Sequence, residues 1–558
     1  MRKYFIATFL FAVTGTMACT NFIVGKGASK DGSVICTYNA DDYGMFIGLV
    51  HRPAARYPKG TMHKVYDWDT NKYHGEIVEA EETYNVIGNI NEWQVTIGET
   101  TFGGREEMVD TTGILDYGSL IYIALQRSKT AREAIRVMTT LVEKYGYNSE
   151  GETFTICDPN EAWIMEMMGA WMPDSLKTKV AKKNRVGNDG RTVWVALRIP
   201  DDAICGHANQ SRISRFNMKD KTGAVLYSKN VVSYARARGW FTGKDEDFSF
   251  CNTYAFPDFG GRRMCDARVW SFFNRYSDGM ERYLPWAEGR DKQAEPLPLW
   301  VKPNRKLTVA DIETAMRDHY EGTPFALDSN IGGGIWQMPY RPTPLYYTVD
   351  GKKYFNERPT STQQTAFSYV AQMRSWLPRE VGGIIWFGND DGNMVPYTPV
   401  YCCATKSPKP YSTPQADALT FSMDNAYWVQ NWVSNMVYPR YSLLFADLQQ
   451  KRDSLDASYF SAQKEVEDHA LTLEGKERIA YLTAYSSKKA NEMLDTWRNL
   501  AFHLVVKYND MIVKPEQDGR FLRTPEGNGA KVKRPGYPDA FGRVLIRQTG
   551  QKYECPVE

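Results

Sequence analysis

Cys19-Thr20-Asn21-Phe22-Ile23-Val24-Gly25-Lys26-Gly27-Ala28-Ser29-Lys30-Asp31-Gly32-Ser33-Val34-Ile35-Cys36-Thr37-Tyr38 reads as strand, turn, strand, with a cysteine at its head. Asp-Gly between two apolar runs predicts a hairpin, with strands over residues 21–25 and 34–38. The residues before Cys19 differ in kind. Arg2 and Lys3 are followed by an almost unbroken apolar run over residues 4–13, then by Thr14-Gly15-Thr16-Met17-Ala18. A short positive region, an apolar region and small residues form the grammar of a secretory signal. Cleavage after Ala18 makes Cys19 the first residue of the mature chain. Its α-amine then lies next to its own sulfur and titrates near pH ~8, so it can serve as general base without a histidine.

A cysteine in that place has a second meaning, as the lipidated residue of a lipoprotein, which anchors and does not catalyse. Two features of the sequence bear on the choice. The position three before the cysteine, where a lipoprotein signal usually has leucine, is Thr16. An apolar strand also follows almost at once, where a lipoprotein usually has a polar tether.

The chain has 558 residues, 42% of them hydrophobic and 24% charged, enough for one large domain with insertions or for two or three. Its 68 basic and 66 acidic residues become 66 and 66 once Arg2 and Lys3 are removed. No block of like charge marks a nucleic-acid or membrane partner. The cluster Lys177, Lys179, Lys182, Lys183 and Arg185 reads as a solvated loop face. No segment reaches 18 uninterrupted apolar residues, so no transmembrane span is expected. All nine cysteines follow Ala18, an odd number that outside the cytoplasm suggests a free reactive thiol or an intermolecular bond. None shows C-x-x-C spacing, and H-E-x-x-H, G-x-S-x-G and P-loop motifs are lacking, so no cofactor or metal is expected. Asp390-Asp391-Gly392-Asn393 lacks EF-hand spacing and reads as a tight turn. His207 reads as structural, and the Asp318-His319-Tyr320-Glu321 run resembles metal-ligand spacing only superficially.

Further strands are expected over residues 44–51, 84–87, 94–100, 152–157, 162–167, 193–199 and 383–387. Helices are expected over residues 118–125, 131–145, 308–320 and 470–506. In the second helix, Ala134, Ile135, Met138, Leu141 and Val142 recur at helical spacing. Residues 216–301 read as irregular insertions. Strand-rich blocks around a helical pair predict a layered α+β domain. After the Pro-rich residues 407–414 the composition turns helical, and Trp428, Trp432 and Met436, with Val429, Val433 and Val437, form an apolar stripe.

The opening segment resembles the start of the dipeptidase A and secernin family of cysteine dipeptidases, which are N-terminal-nucleophile hydrolases. The resemblance continues through Tyr38-Asn39-Ala40-Asp41-Asp42, Asn91-Glu92-Trp93-Gln94-Val95-Thr96-Ile97 and Trp194-Val195-Ala196-Leu197-Arg198-Ile199-Pro200. It extends to His207-Ala208-Asn209-Gln210-Ser211-Arg212-Ile213, Arg317-Asp318-His319-Tyr320-Glu321-Gly322-Thr323, Tyr397-Thr398-Pro399-Val400-Tyr401 and Trp428-Val429-Gln430-Asn431-Trp432-Val433. Blocks in this order are far more specific than any single motif.

The resemblance implies an α+β fold, the four-layer αββα sandwich of these hydrolases, over residues 19–405 after the signal at 1–18. Residues 406–558 would form a mostly helical C-terminal region packed on it. The implied activity is dipeptide hydrolysis by an exported enzyme, periplasmic or extracellular, through a thioester on Cys19. Cys19 would supply thiol and base. Asp41 would hold the amine or the thiol, Asn209 would donate to the oxyanion, and Thr101 is a second oxyanion candidate. For Asp41 and Asn209 the competing reading is ordinary turn chemistry. The sequence departs from the family at Tyr38, where relatives carry arginine. Arg212 is the candidate to supply that missing cation or to bind a substrate carboxylate. Three alternatives stay open: an N-acyl amide acylase of the penicillin or bile-salt type, a lipid-anchored binding protein with a blocked Cys19, and a secernin-like protein of low peptidase activity.

Overall fold

The computed structural model describes residues 19–171, 190–328 and 330–556. The signal-like residues 1–18 and the basic cluster at 177–185 lie outside them. Two antiparallel sheets organise the molecule. The first has seven strands in the order Trp300–Val301, Ile204–His207, Asn21–Val24, Val34–Asp41, Thr365–Met373, Gly383–Asn389 and Thr398–Tyr401. The second has eight, in the order Val225–Tyr227, Thr192–Arg198, Ala162–Gly169, Gly151–Cys157, Thr96–Gly103, Ile90–Asn91, Val86–Ile87 and His51–Arg52.

Strand alternation fixes what each face packs against. From the first sheet, Ile23, Cys36, Tyr38, Tyr369 and Ile385 point into one apolar cluster. From the second, Ile164, Val193, Val195 and Cys157 join the same cluster, so the sheets share a core. Their alternates Phe22, Val24, Ile35, Val370 and Trp386 pack on the opposite side against helices Ala267–Tyr276 and Val309–Met316. Ile97, Phe154, Trp163 and Met165 pack outward against helices Tyr117–Arg127 and Ala131–Tyr145.

The helix Ala131–Tyr145 keeps its expected bounds because its ends are chemically marked. Thr130 Oγ1 accepts from the Glu133 amide at 3.1 Å, a cap that contributes about 1 kcal/mol. Gly146, at φ 80°, ends it. Its buried Ile135, Met138 and Val142 each contribute about 2 kcal/mol by leaving water.

The C-terminal region consists chiefly of helices Ala426–Val437, Tyr441–Thr472 and Gly475–Tyr508. They bond to the first sheet through buried charge. Arg374 pairs with both oxygens of Glu467 at 2.7 and 2.9 Å, and Arg317 pairs with Asp456 at 2.8 Å. Asp456 also accepts from the Tyr397 amide. Among the described residues no helix is long and apolar enough to cross a membrane.

Several elements differ from the sequence reading. Residues 44–50 form no strand; the Leu49 amide bonds the Tyr411 carbonyl instead. The helix expected over 308–320 stops at Met316, and Tyr320, at φ 66°, has turned away. The long helix expected over 470–506 is two helices, broken at Leu473 and Glu474. The irregular middle contains the buried helix Ala267–Tyr276, entered through a π-helical turn over Gly261–Asp266. The central strand Thr365–Met373 also escaped the reading: buried on both faces, it shows no alternation.

Candidate active site

Cys19 stands at the edge of the hairpin strand Asn21–Val24, with its side chain fully buried in the cluster between the sheets. Its backbone is held from two sides. Thr20 exchanges two backbone hydrogen bonds with Asn39 on the neighbouring strand, at 3.1 and 2.9 Å. Arg268, from the helix missed in the sequence, donates to the Cys19 carbonyl at 2.6 Å and to Thr20 Oγ1 at 2.7 Å. The same guanidinium donates to the Ala208 carbonyl at 3.1 Å and to Asn209 Oδ1 at 3.0 Å, and its Nε donates to the Met264 carbonyl at 2.8 Å. One buried cation therefore ties the cysteine to the segment after strand Ile204–His207. Burial and the nearby Arg358 bring its pKa down to about 10.

Asn209 sits in the left-handed region at φ 59°, a conformation asparagine tolerates better than most residues and one that clusters at functional sites. Its amide nitrogen donates to the Thr101 carbonyl at 2.8 Å. Thr101 Oγ1 donates to Glu152 at 2.7 Å. The turn carrying Asn209 is clamped by Glu166, which accepts from Ser211 Oγ at 2.5 Å and from the amides of Arg212 and Ile213 at 2.5 and 3.0 Å. Burial pushes Glu166 up to about 7.

Asp41 ends the strand that carries Tyr38. It is fully buried, accepts from Arg358 at 2.5 Å and from Thr365 Oγ1 at 2.6 Å, and acts electrostatically on Cys19. Burial raises its pKa, and Arg358 pulls against that. Arg212 is placed otherwise. Its guanidinium pairs with Asp266 at 3.2 Å and donates to the carbonyls of Gly206 and Pro298 at 2.5 and 2.6 Å. Arg268 is the arginine that reaches the cysteine. His207 lies between Thr100 and Thr155 hydroxyls at 2.8 and 2.7 Å, and burial keeps it neutral, as suits a structural residue.

The sulfur's own neighbours are acidic and phenolic. Cys19 Sγ lies 3.6 Å from Glu99 Oε1 and 3.9 Å from the Tyr38 hydroxyl, and that hydroxyl donates to Glu99. Burial, then Glu99 and Asp41, push the thiol well above its ordinary pKa. The resting sulfur is a thiol, so attack requires a base to take its proton as the bond forms. Gly98 lets the second sheet come this close. A methyl there would stand 2.6 Å from Asn21 Oδ1 and 3.3 Å from Tyr38 Cβ.

Glu99, Arg268, Arg358 and Glu166 were not singled out in the sequence. Glu99 and Thr101 stand two apart on one strand, a weak signal on its own. The arginines come from distant segments and carry none. All nine cysteines are free thiols, and among the described residues no three metal-ligating side chains cluster. The acidic turn at Asp390 and Asp391 is tied to helix Ala426–Val437: Asp390 accepts from Asn431 at 2.9 Å and from Ser434 at 2.5 Å.

The site brings together a buried thiol and, through the Arg268 guanidinium on the Cys19 carbonyl, the side-chain amide of Asn209. Comparison with known proteins gives the class. The model of peptidase family C69 matches residues 48–454, and the chain belongs to this family. Cys19 and Asp41 lie before the matched residues. The chain is 24% identical to a probable dipeptidase of Latilactobacillus sakei, over 88% of this chain and 95% of that protein. It is 23% identical to a probable dipeptidase of Salmonella dublin, over 72% and 85%. It is 22% identical to dipeptidase A of Lactobacillus helveticus, over 87% and 96%.

Proposed function

We propose that this chain is an exported cysteine dipeptidase whose nucleophile is Cys19, freed as the mature N-terminus by removal of residues 1–18. The observation that carries the reading is Arg268, whose hydrogen bonds join the Cys19 carbonyl to Asn209 and so hold nucleophile and amide donor in one rigid unit. The two sheets with helices on their outer sides support the N-terminal-nucleophile hydrolase sandwich as the fold, and the names of the relatives support dipeptides as substrates.

In this mechanism the Cys19 α-amine takes the thiol proton as sulfur attacks the peptide carbonyl. Asn209 donates to the developing oxyanion. The C–N bond breaks, the α-ammonium returns the proton to the leaving amine, and the acyl group remains as a thioester. Water, deprotonated by the same amine, then releases the second amino acid. The raised thiol pKa suits this order, because the proton leaves only when base and substrate are both present. Asp41, pinned by Arg358, fixes the end of the neighbouring strand and the field around the amine.

Liquid-chromatographic assay of a dipeptide panel tests the reading. The chain beginning at Cys19 is expected to release free amino acids, and Cys19→Ala to release none. Equal rates for the two would overturn it.

A further inference from the structure

The segment that carries Asn209 is buried without being regular. Ala208, Gln210, Ser211, Arg212 and Ile213 are all buried, yet residues 208–217 lie outside every helix and strand. Backbone amides in such a segment need partners, because an unpaired buried N–H is costly, and no neighbouring strand supplies them. One side chain does. Glu166 Oε1 accepts from the Arg212 and Ile213 amides at 2.5 and 3.0 Å, and its Oε2 accepts from the Ser211 hydroxyl at 2.5 Å.

Glu166 is a rigid anchor. It stands in the middle of strand Ala162–Gly169, paired on one side with Thr153 and on the other with Val195. Its neighbours on the same face, Ile164 and Met168, belong to the apolar core between the sheets. A carboxylate in that row is a poor choice for packing alone. Arg268 holds the same segment from the other side, at the Ala208 carbonyl and Asn209 Oδ1. Asn209 lies between the two anchors in the left-handed region, a conformation that persists where its surroundings over-determine it. Its amide nitrogen is aligned on the Thr101 carbonyl at 2.8 Å.

We propose that Glu166 is a positioning residue for the reaction, acting through the 208–213 segment to set where Asn209 presents its amide to the oxyanion. This deepens the dipeptidase reading and rests on Asn209 being the oxyanion donor. Such a donor works only when it stands about 2.7–3.1 Å from the place the oxyanion will occupy. On irregular chain, nothing but the anchors fixes that distance. The contact forms in the transition state, so loosening it lowers kcat and leaves KM unchanged.

The test is a double-mutant cycle on leucyl-glycine hydrolysis, using Glu166→Met and Asn209→Ala in the chain that begins at Cys19. Methionine keeps the length of the side chain and removes all three acceptor contacts. E166M is expected to lose kcat on the order of 100-fold at unchanged KM, and N209A about 100- to 1,000-fold. The double variant is expected to match N209A, because Glu166 acts only through the donor. Glu166→Gln, whose single oxygen can still accept from both amides, is expected to recover most of kcat. Glu166→Asp, which withdraws the carboxylate by one methylene, enters the same cycle if E166M fails to fold. Parental kcat in E166M, a loss carried by KM, or a loss as large in N209A as in the parent overturns the proposal. Parental turnover in N209A would remove the oxyanion donor, and absence of leucyl-glycine hydrolysis by the parent would remove the dipeptidase reading. Each of these takes the proposal with it and is recognised before the Glu166 variants are compared.

Discussion

Arg268→Met removes the guanidinium that ties the Cys19 carbonyl to the Asn209 turn. Five hydrogen bonds go with it, to Met264, Cys19, Thr20, Ala208 and Asn209, at 2.6 to 3.1 Å. At about 1.5–3 kcal/mol for each charged donor, a simple sum far exceeds any real loss. The five act as one unit, and the methionine avoids desolvating a cation whose pKa burial has already brought down to about 10. The net cost is that of breaking a buried charged network, about 3–5 kcal/mol, a large part of the roughly 5–15 kcal/mol that holds a protein folded. Activity is expected to fall further. With its carbonyl unanchored, Cys19 shifts relative to Asn209, and a displacement of about 1 Å costs ~100-fold in rate. Arg268→Lys, with three donors in place of five, is expected to recover part of the stability and less of the rate. Urea unfolding read by tryptophan fluorescence gives the first quantity, and kcat/KM on a dipeptide gives the second. An R268M enzyme within about 1 kcal/mol of the parent in stability and within about threefold in kcat/KM would refute the reasoning.

Gly98→Ala places a methyl 2.6 Å from Asn21 Oδ1 and 3.2 Å from the Tyr369 hydroxyl, so overpacking of about 1–3 kcal/mol and a marked loss of kcat are expected; unchanged melting and turnover would count against this packing. Glu166 has a folded pKa raised from 4.5 to about 7, so its share of stability is present below about pH 4.5 and is lost as pH rises through 7. Between about pH 5.5 and pH 8 the parent is expected to lose about 2 kcal/mol more stability than Glu166→Gln, at 1.36 kcal/mol per unit; parallel urea curves across that range would contradict it. Glu467→Ala leaves Arg374 buried without its carboxylate and is expected to cost about 3–5 kcal/mol, with protease cleavage appearing first in the C-terminal helices; limited proteolysis and urea unfolding check both.

What the sequence revealed follows from local chemistry. The hairpin behind Cys19 was legible because Asp31-Gly32 separates two apolar runs, and the structure pairs Ile23 with Cys36 and Val24 with Ile35. Helix Ala131–Tyr145 was legible because one face is apolar and both ends carry capping residues. The strand Thr365–Met373 and the helix Ala267–Tyr276 were not, because elements buried on every side lose the contrast that periodicity needs. The neighbourhood of the cysteine was legible only through resemblance. Arg268, 249 positions from Cys19, and Arg358, 317 positions from Asp41, reach the site through tertiary packing that no local pattern encodes. Tyr38 drew notice as a departure from relatives that carry arginine, and here its hydroxyl bonds Glu99 beside the sulfur.

The central claim is that Cys19 begins the working enzyme with a free amine and a free thiol. Intact mass with N-terminal sequencing, on protein isolated from its native host, tests this most directly. The account predicts a chain starting Cys-Thr-Asn-Phe at unmodified mass, which gains one carbamidomethyl group at Cys19 in parallel with loss of dipeptide hydrolysis. A diacylglyceryl adduct with a blocked amine on Cys19 would contradict it and leave a lipid-anchored protein without this nucleophile.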